Sequence, residues 1–311
     1  MEMEAYWSQY WQQGYLTSFG SSIKNNYQGV IKECWFRFFD KLTEQDKVLD
    51  IGTGNGALIA LAQAHPSLDC NFVGIDYANV NICDKSLIGK RNIEFISNVQ
   101  AEDMIFDASK FTAAIAQFSL EYTNIEQSIE EVSRVLVNKG KFQFVCHHSD
   151  SLIVQPNNKL LQTALKILDK DGALDTLKQL IKELGQNTGL KSNKAEKLRH
   201  KLNILVDDFF KVDGLAFQNT NFPSLIKSVF TQKKLAARQK IIYQFEEELE
   251  GQISRFTQLS NAALNQTDKE CLILLCQQAN LIIEKNEIML QEDGQVLAHV
   301  ISGHKFHCKN E

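Results

Sequence analysis

Val48-Leu49-Asp50-Ile51-Gly52-Thr53-Gly54-Asn55-Gly56-Ala57 is the stretch on which the architecture turns. An apolar run stops at three glycines set at alternate positions, and a helix-forming stretch, Ala57 to Ala64, follows and ends before Pro66. A short continuous apolar run bounded in this way suits a buried strand. Each glycine removes a Cβ where the backbone must approach a ligand closely or take a positive φ. The helix that follows presents unpaired N–H groups and the positive end of its dipole to that turn. The spacing is Gly-x-Gly-x-Gly rather than the Gly-x-Gly-x-x-Gly of dinucleotide binders, and Asp50 stands two residues before the first glycine. A carboxylate there repels a pyrophosphate.

The rhythm continues outward from this turn. Asn71 to Asp76 reads as a second strand and Asn79 to Ile88 as a second helix. Ile93 to Ile96 and Phe111 to Phe118 are the third and fourth strands, and Ile125 to Val137 is a helix with Ile125, Ile129, Val132 and Leu136 on one face. Asn138-Lys139-Gly140 reads as a turn before a fifth strand, Lys141 to Cys146. Strands alternating with helices of this length predict a parallel sheet covered on both faces.

Beyond residue 150 the periodicity is helical. Leu160, Leu161, Ala164, Leu165 and Leu168 begin it, and Leu174, Leu177, Leu180, Ile181 and Leu184 carry it on. Breaks are expected at Gly185 to Ser192, at Asp213-Gly214 and at Asn219 to Pro223. A helix from Lys269 to Gln278 leads to Leu281–Leu290 and Gln295–Phe306, a hairpin with Asp293-Gly294 in its turn. On the other side of the glycine turn, residues 6 to 39 are rich in aromatics. Trp7, Tyr10 and Trp11 fall at helical spacing, and Val30, Ile31, Cys34, Trp35, Phe38 and Phe39 form a second such face, which packing on the sheet explains.

Composition bounds the function. A chain of 311 residues that is 44% hydrophobic and 23% charged can bury a large core. A net charge of -5 argues against a nucleic-acid surface. The seven cysteines are odd in number and lack CxxC spacing, which predicts reduced thiols and no zinc site. The start, MEMEAYWSQYWQQG, has no basic, apolar leader, and no run reaches the ~20 apolar residues that span a bilayer. A cytoplasmic protein without a membrane segment is the expectation.

With these motifs assembled, the chain resembles the class I S-adenosylmethionine-dependent methyltransferases. VLDIGTGNGALI at residues 48 to 59 is similar to their first motif. The resemblance implies an α/β fold with a Rossmann-like sheet, mostly parallel with a C-terminal antiparallel hairpin; the all-helical insertion lies outside the resemblance and rests on the leucine periodicity. It implies S-adenosyl-L-methionine as cofactor and S-adenosyl-L-homocysteine as product, with Asp50, Gly52, Thr53, Gly54 and Gly56 around the amino-acid end. Asp50 would meet the ligand's amino group. Asp76, ending Gly74-Ile75-Asp76, would hold both ribose hydroxyls, since two acceptor oxygens face a diol. Tyr77 would pack on the adenine. Gln100, Ala101 and Glu102 resemble the segment around the adenine, with Gln100 where an aspartate is common. Gln117 and Phe118 end the strand that lies beside the transferring methyl.

Four residues are candidates for catalysis: His147 and His148 as a general base at the carboxyl end of strand five, and Glu121 and Tyr122 to orient the acceptor or take its proton. Each also has an ordinary structural reading as a hydrogen-bonding, capping or solvated side chain. Tyr10, Trp11 and Phe19, with Trp7, are candidates for a lid or acceptor contact. Adjacent histidines point apart and no third ligand is evident, so no metal site is expected. Lys233, Lys234, Arg238 and Lys240 read as solvated helix faces. Residues 1–45 are read as N-terminal helices covering the site, 46–150 with 266–311 as the core, and 151–265 as a helical cap. The expected acceptor is a small, partly apolar molecule, with a homodimer through the insertion open. Three rivals are weighed: an oxidoreductase on a nicotinamide cofactor, which Gly-x-Gly-x-Gly with Asp50 argues against, a non-catalytic cofactor-binding module that docks a partner through the insertion, and an RNA methyltransferase.

Overall fold

Where the sequence is most apolar the strands form. A computed structural model describes residues 3–18, 25–186 and 192–306. It contains β1 (Lys47–Ile51), β2 (Asn71–Asp76), β3 (Ile93–Ser97), β4 (Phe111–Gln117), β5 (Leu136–His147), β6 (Leu281–Leu290) and β7 (Val296–Lys305). They join one seven-stranded sheet in the order β3-β2-β1-β4-β5-β7-β6. β1 to β5 are parallel, while β7 runs antiparallel to both β5 and β6. The chain steps outward from β1 to β2 and β3, then crosses back to β4 and β5. Strand order therefore reverses between β1 and β4, and in open α/β sheets that reversal opens a ligand crevice at the carboxyl ends.

Helices cover the inner strands. α1 (Met3–Gln12) and α2 (Gly29–Phe39) precede the sheet, and α2 buries Ile31, Cys34, Trp35, Phe38 and Phe39. α3 (Ala57–Gln63) follows the glycine turn. α4 (Ile125–Val135) starts on Asn124, whose side chain accepts from Gln127 N, and it buries Ile129, Val132 and Val135 against Leu49, Ala114 and Phe142 of the sheet core.

Two expectations within this unit need correction. Residues 79–88 form no helix. Their N–H groups go elsewhere: Asn79 N donates to Ser8 Oγ, Val80 N to Ser97 Oγ, Asn81 N to Asn55 Oδ1 and Ser86 N to Asp84 Oδ1. Side-chain acceptors have outcompeted the i−4 carbonyls, as Asn, Asp and Ser tend to do. Asn138-Lys139-Gly140 is not a turn before a strand but a bulge inside β5. Leu136 pairs Phe111 and Lys141 pairs Ala113, with Lys139 at φ 60° between them.

Residues Leu152–Asn261 make a second unit by contact, while Met1–Ser151 and Ala262–Glu311 make the first. The second unit comprises α5 (Val154–Leu168), α6 (Ala173–Gln186), α7 (Asn193–Asn219), α8 (Phe222–Thr231) and most of α9 (Leu235–Ala262). It has its own apolar core, with Leu177, Phe217, Phe222, Val229 and Leu249 buried. The expected break at Asp213 is a kink inside α7, where Asp213 takes φ −156° and ψ 89° and caps Ala216 N. Two further breaks, at 169–172 and 232–234, carry weaker sequence signals. α10 (Gln266–Gln278) then returns to the sheet from a capping box of Asn265 and Asp268. Among the described residues, no helix is long and apolar enough to cross a membrane.

The edge hairpin depends on one glycine. Gly303 of β7 faces the irregularity between Ile283 and Lys285 of β6, and a Cβ there would overlap the Ile282 carbonyl. Gly303→Ala is expected to destabilise the protein by about 1–3 kcal/mol, as overpacking does. Urea denaturation giving an unchanged midpoint would show that β6 yields freely.

Candidate functional site

At the reversal between β1 and β4, the turn after β1 takes left-handed backbone. Gly52 has φ 66° and Gly54 φ 51°, a region that side chains rarely adopt. A Cβ on Gly52 would run into Ser119, whose Oγ donates to Ile51 O at 2.6 Å. A Cβ on Gly54 would lie 2.5 Å from the Trp11 ring. Close approach is thus needed on two sides, by the loop after β4 and by α1.

Two carboxylates stand at adjacent strand ends. Asp50 is buried and accepts from Thr53 Oγ1 at 2.6 Å. Asp76 accepts from Gly54 N and Ala78 N, both at 2.8 Å, one on each oxygen. Neither has an ion-pair partner among the described residues. Burial pushes the Asp50 carboxyl up to about 7, against the Thr53 hydrogen bond and with help from the charge of Asp76. Burial likewise raises Asp76 to about 6, against the two backbone N–H groups. Both are acids held in an environment that disfavours their charge.

Around them lies a cavity of about 400 Å³. It gathers Asp50, Gly52, Thr53, Asp76, Tyr77, Gln100, Ala101, Glu102, Gln117 and Phe118, and it adds Tyr122 and Trp11. Gly54 and Gly56 do not line it. They serve packing, Gly54 against Trp11 and Gly56 against Leu87 and Phe95. Glu102 Oε1 accepts from Asn124 N, which ties the Gln100–Glu102 segment to the start of α4. Gln117 accepts from Trp35 Nε1 and lies beside the Tyr27 hydroxyl.

Aromatic rings form much of the wall. Trp7 stacks on Trp11 with centroids 5.8 Å apart and meets Tyr122 edge-on at 6.2 Å. α1 is fastened by Asn55, whose Nδ2 donates to Trp11 O and Tyr15 O. Tyr10 does not line the cavity; its hydroxyl donates to Thr17 O and its ring packs in a small cluster with Trp11 and Ala78. Phe19 lies outside the described residues. Sequence reading missed Thr17, Ser18, Tyr27, Ser119, Thr123 and Gln127 in the lining. Isolated polar residues at loop ends carry no periodic signal, so no pattern marked them.

His147 and Glu121 sit behind this wall. Glu121 Oε1 accepts from His147 N at 2.7 Å and lies 2.8 Å from His147 Nδ1. The His147 ring stacks on Phe118 at 4.2 Å and meets Tyr122 edge-on at 5.9 Å. His148 is elsewhere, stacked on His299 at 4.2 Å with Nδ1 accepting from Asp150 N. Among the described residues no group of three His, Cys, Asp or Glu side chains is placed to hold a metal ion.

Residues 49–144 match the family model described as a methyltransferase domain. Over those residues the chain is similar to a methyltransferase domain. The match spans the glycine turn, Asp76, the Gln100 segment and most of β5. The chain is 32% identical over 120 residues to a ubiquinone biosynthesis O-methyltransferase of Pelagibacter ubique (strain HTCC1062). That alignment covers 38% of this chain and 48% of the relative, so the chain spans about half the length of the curated methyltransferase it matches. Solved structures with similar traces include geranyl diphosphate C-methyltransferase from Streptomyces coelicolor A3(2), at 10% identity and a TM-score of 0.47, covering 97% of this chain and 96% of that one. A SAM-dependent methyltransferase from Aquifex aeolicus is similar at 10% identity and a TM-score of 0.44, covering 88% of each chain.

Asp50, buried, and Asp76, half-buried, make the stability of the unit that holds them depend on pH. Their folded values exceed the unfolded value near 4, so stability present below that value is lost as pH rises through about 6 and 7. Asp50→Asn keeps the acceptor for Thr53 and removes the charge. It is expected to raise the melting temperature of the ligand-free protein at pH 8 and to change it little at pH 4. A lower melting temperature at pH 8 would contradict the electrostatics.

Proposed function

We propose that this protein transfers a methyl group from S-adenosylmethionine to a small, partly apolar acceptor and releases S-adenosylhomocysteine. The observation that carries this reading is the buried carboxylate of Asp50 beside the half-buried one of Asp76, neither with a cationic partner among the described residues, at the carboxyl ends of neighbouring strands in an aromatic-walled cavity. Such a site favours a ligand that brings positive charge and a diol. Asp50 would meet the amino group and Asp76 the ribose hydroxyls, with Tyr77, Gln100 and Ala101 near the adenine. The bound cofactor supplies an electrophilic methyl group on a sulfonium. What the chain then contributes is proximity, orientation and exclusion of water. α1, through Trp7 and Trp11, acts as the lid, with Tyr10 as its brace. An oxygen acceptor is favoured by the similarity to the Pelagibacter O-methyltransferase. The free thiols among the described cysteines suit a reducing, cytoplasmic setting.

We assign acceptor binding to residues 152–261. Support comes from chain order: they are inserted just after β5, whose carboxyl end borders the crevice, and an insertion of this length is commonly functional. A second reading rests on charge. These residues hold 17 Lys and Arg against 12 Asp and Glu, a net +5, which leaves −10 for the rest of the chain. A basic unit suits an anionic partner, a nucleic acid or a second copy of the chain. Replacing residues 152–261 by a short glycine-serine linker separates the two. Retained cofactor binding with lost methyl transfer is expected for an acceptor-binding unit. Full transfer to the acceptor without the insertion would assign the helices to docking.

A further inference from the structure

Three hydroxyls that line the cavity have their protons committed. Thr53 donates to Asp50, Ser119 to Ile51 O and Thr123 to Leu120 O. Gln117 differs. It lines the same cavity with only 8% of its surface exposed. Its Nε2 is buried without a hydrogen bond among the described residues, although the Tyr27 hydroxyl lies beside the side chain. A buried donor left in this state costs stability until a ligand completes it.

Which end of the amide stays open is settled by α2. The Trp35 indole N–H can only donate, and it donates to Gln117 Oε1. The nitrogen, with its two N–H donors, is therefore the end left over. Register fixes what stands near it. Asp50 pairs with Ile115, and Gln117 follows two residues further along β4. Asp50 and Gln117 thus point to the same face of the sheet, one pleat apart on neighbouring strands. The described lining residues include three acids, Asp50, Asp76 and Glu102, and no Lys, Arg or His. An anionic group that enters has to be held by neutral donors, and Gln117 Nε2 is a neutral donor already in place.

We propose that Gln117 Nε2 donates to the carboxylate at the methionine end of S-adenosylmethionine, an inference that rests on the methyl-transfer reading above. In that reading Asp50 takes the amino group. The two charged groups of an α-amino acid are borne by one carbon. A ligand whose amino group meets Asp50 therefore carries its carboxylate to the neighbouring strand on the same face. Acid and amide together read both charges of the zwitterion without a cation. The carboxylate takes no part in methyl transfer, so Gln117 acts on cofactor affinity and selection and not on the chemical step.

The test measures calorimetric affinity of the full chain and of its Gln117→Leu and Gln117→Glu variants for two ligands. One is S-adenosylmethionine; the other is decarboxylated S-adenosylmethionine, which keeps the sulfonium, the amino group and the nucleoside. The preference for the carboxylated ligand is expected to fall about 10- to 100-fold in Gln117→Leu, the range for a hydrogen bond to a charged group. It is expected to fall further in Gln117→Glu, which still accepts from Trp35 but sets an acceptor against the carboxylate. Affinity for the decarboxylated ligand should stay close to that of the wild type in Gln117→Leu. A preference that is the same in the wild type and both variants, including equal losses of both ligands, would overturn the proposal. Should the variants fail to fold, proton spectra of the wild type decide. The Gln117 side-chain amide, identified by its contact with the Trp35 indole, is expected to shift with S-adenosylmethionine and much less with the decarboxylated ligand; equal shifts would overturn the proposal. Binding of neither ligand by the folded wild type would instead sink the methyl-transfer reading, and the proposal with it.

Discussion

Two carboxylates, one buried and one half-buried, that lack a counter-charge among the described residues set the terms for the rest of this site. Asp50 and Asp76 end neighbouring strands, and the parallel register that pairs Asp50 with Gly74 brings them to one edge. Both could have been neutralised by a lysine or arginine, and among the described residues neither is. Each accepts only from neutral donors, a hydroxyl for Asp50 and two backbone N–H groups for Asp76. Hydrogen bonds of that kind lower the penalty of ionisation without abolishing it. The free cavity therefore stores electrostatic tension that a cationic ligand relieves. Strand order, glycine turn and aromatic wall can all be understood as the means of keeping these two groups close, dry and facing one space.

The glycines show how one constraint serves several elements. Gly52 admits Ser119 from the loop after β4, and Gly54 admits the indole of Trp11 from α1. Asn55, between the last two glycines, donates to two carbonyls of the N-terminal segment and accepts from Asn81. Gly74, on β2, lets Thr53 close over it. The motif is thus a packing junction as much as a ligand loop. Its spacing records the thickness of neighbours that lie far away in the chain.

Much of this was legible in the sequence where local physics decides the outcome. Val48–Ile51, apolar but for Asp50, and Ala113–Ala116, apolar throughout, reflect an inner parallel strand covered on both faces, and they fell where expected. The helices beyond residue 150 followed their leucine spacing. Sequence reading failed where side chains compete for the backbone, as in the Asn- and Ser-rich segment 79–88. It was also silent where long-range pairing decides. Nothing near Gly54 announces Trp11, and nothing near Gln117 announces Trp35. Which of two adjacent histidines faces Glu121 depends on the register of β5, and spacing alone could not choose between His147 and His148.

Titration calorimetry on the wild type and Asp76→Ala tests whether the Asp50–Asp76 cavity holds S-adenosylmethionine. Micromolar binding of S-adenosylmethionine or S-adenosylhomocysteine is expected of the wild type. A loss of about 1.5–3 kcal/mol is expected in a folded Asp76→Ala, the range for hydrogen bonds to a charged group. Heat on adding NAD with none for either sulfur ligand, or equal affinity in the variant, would contradict this.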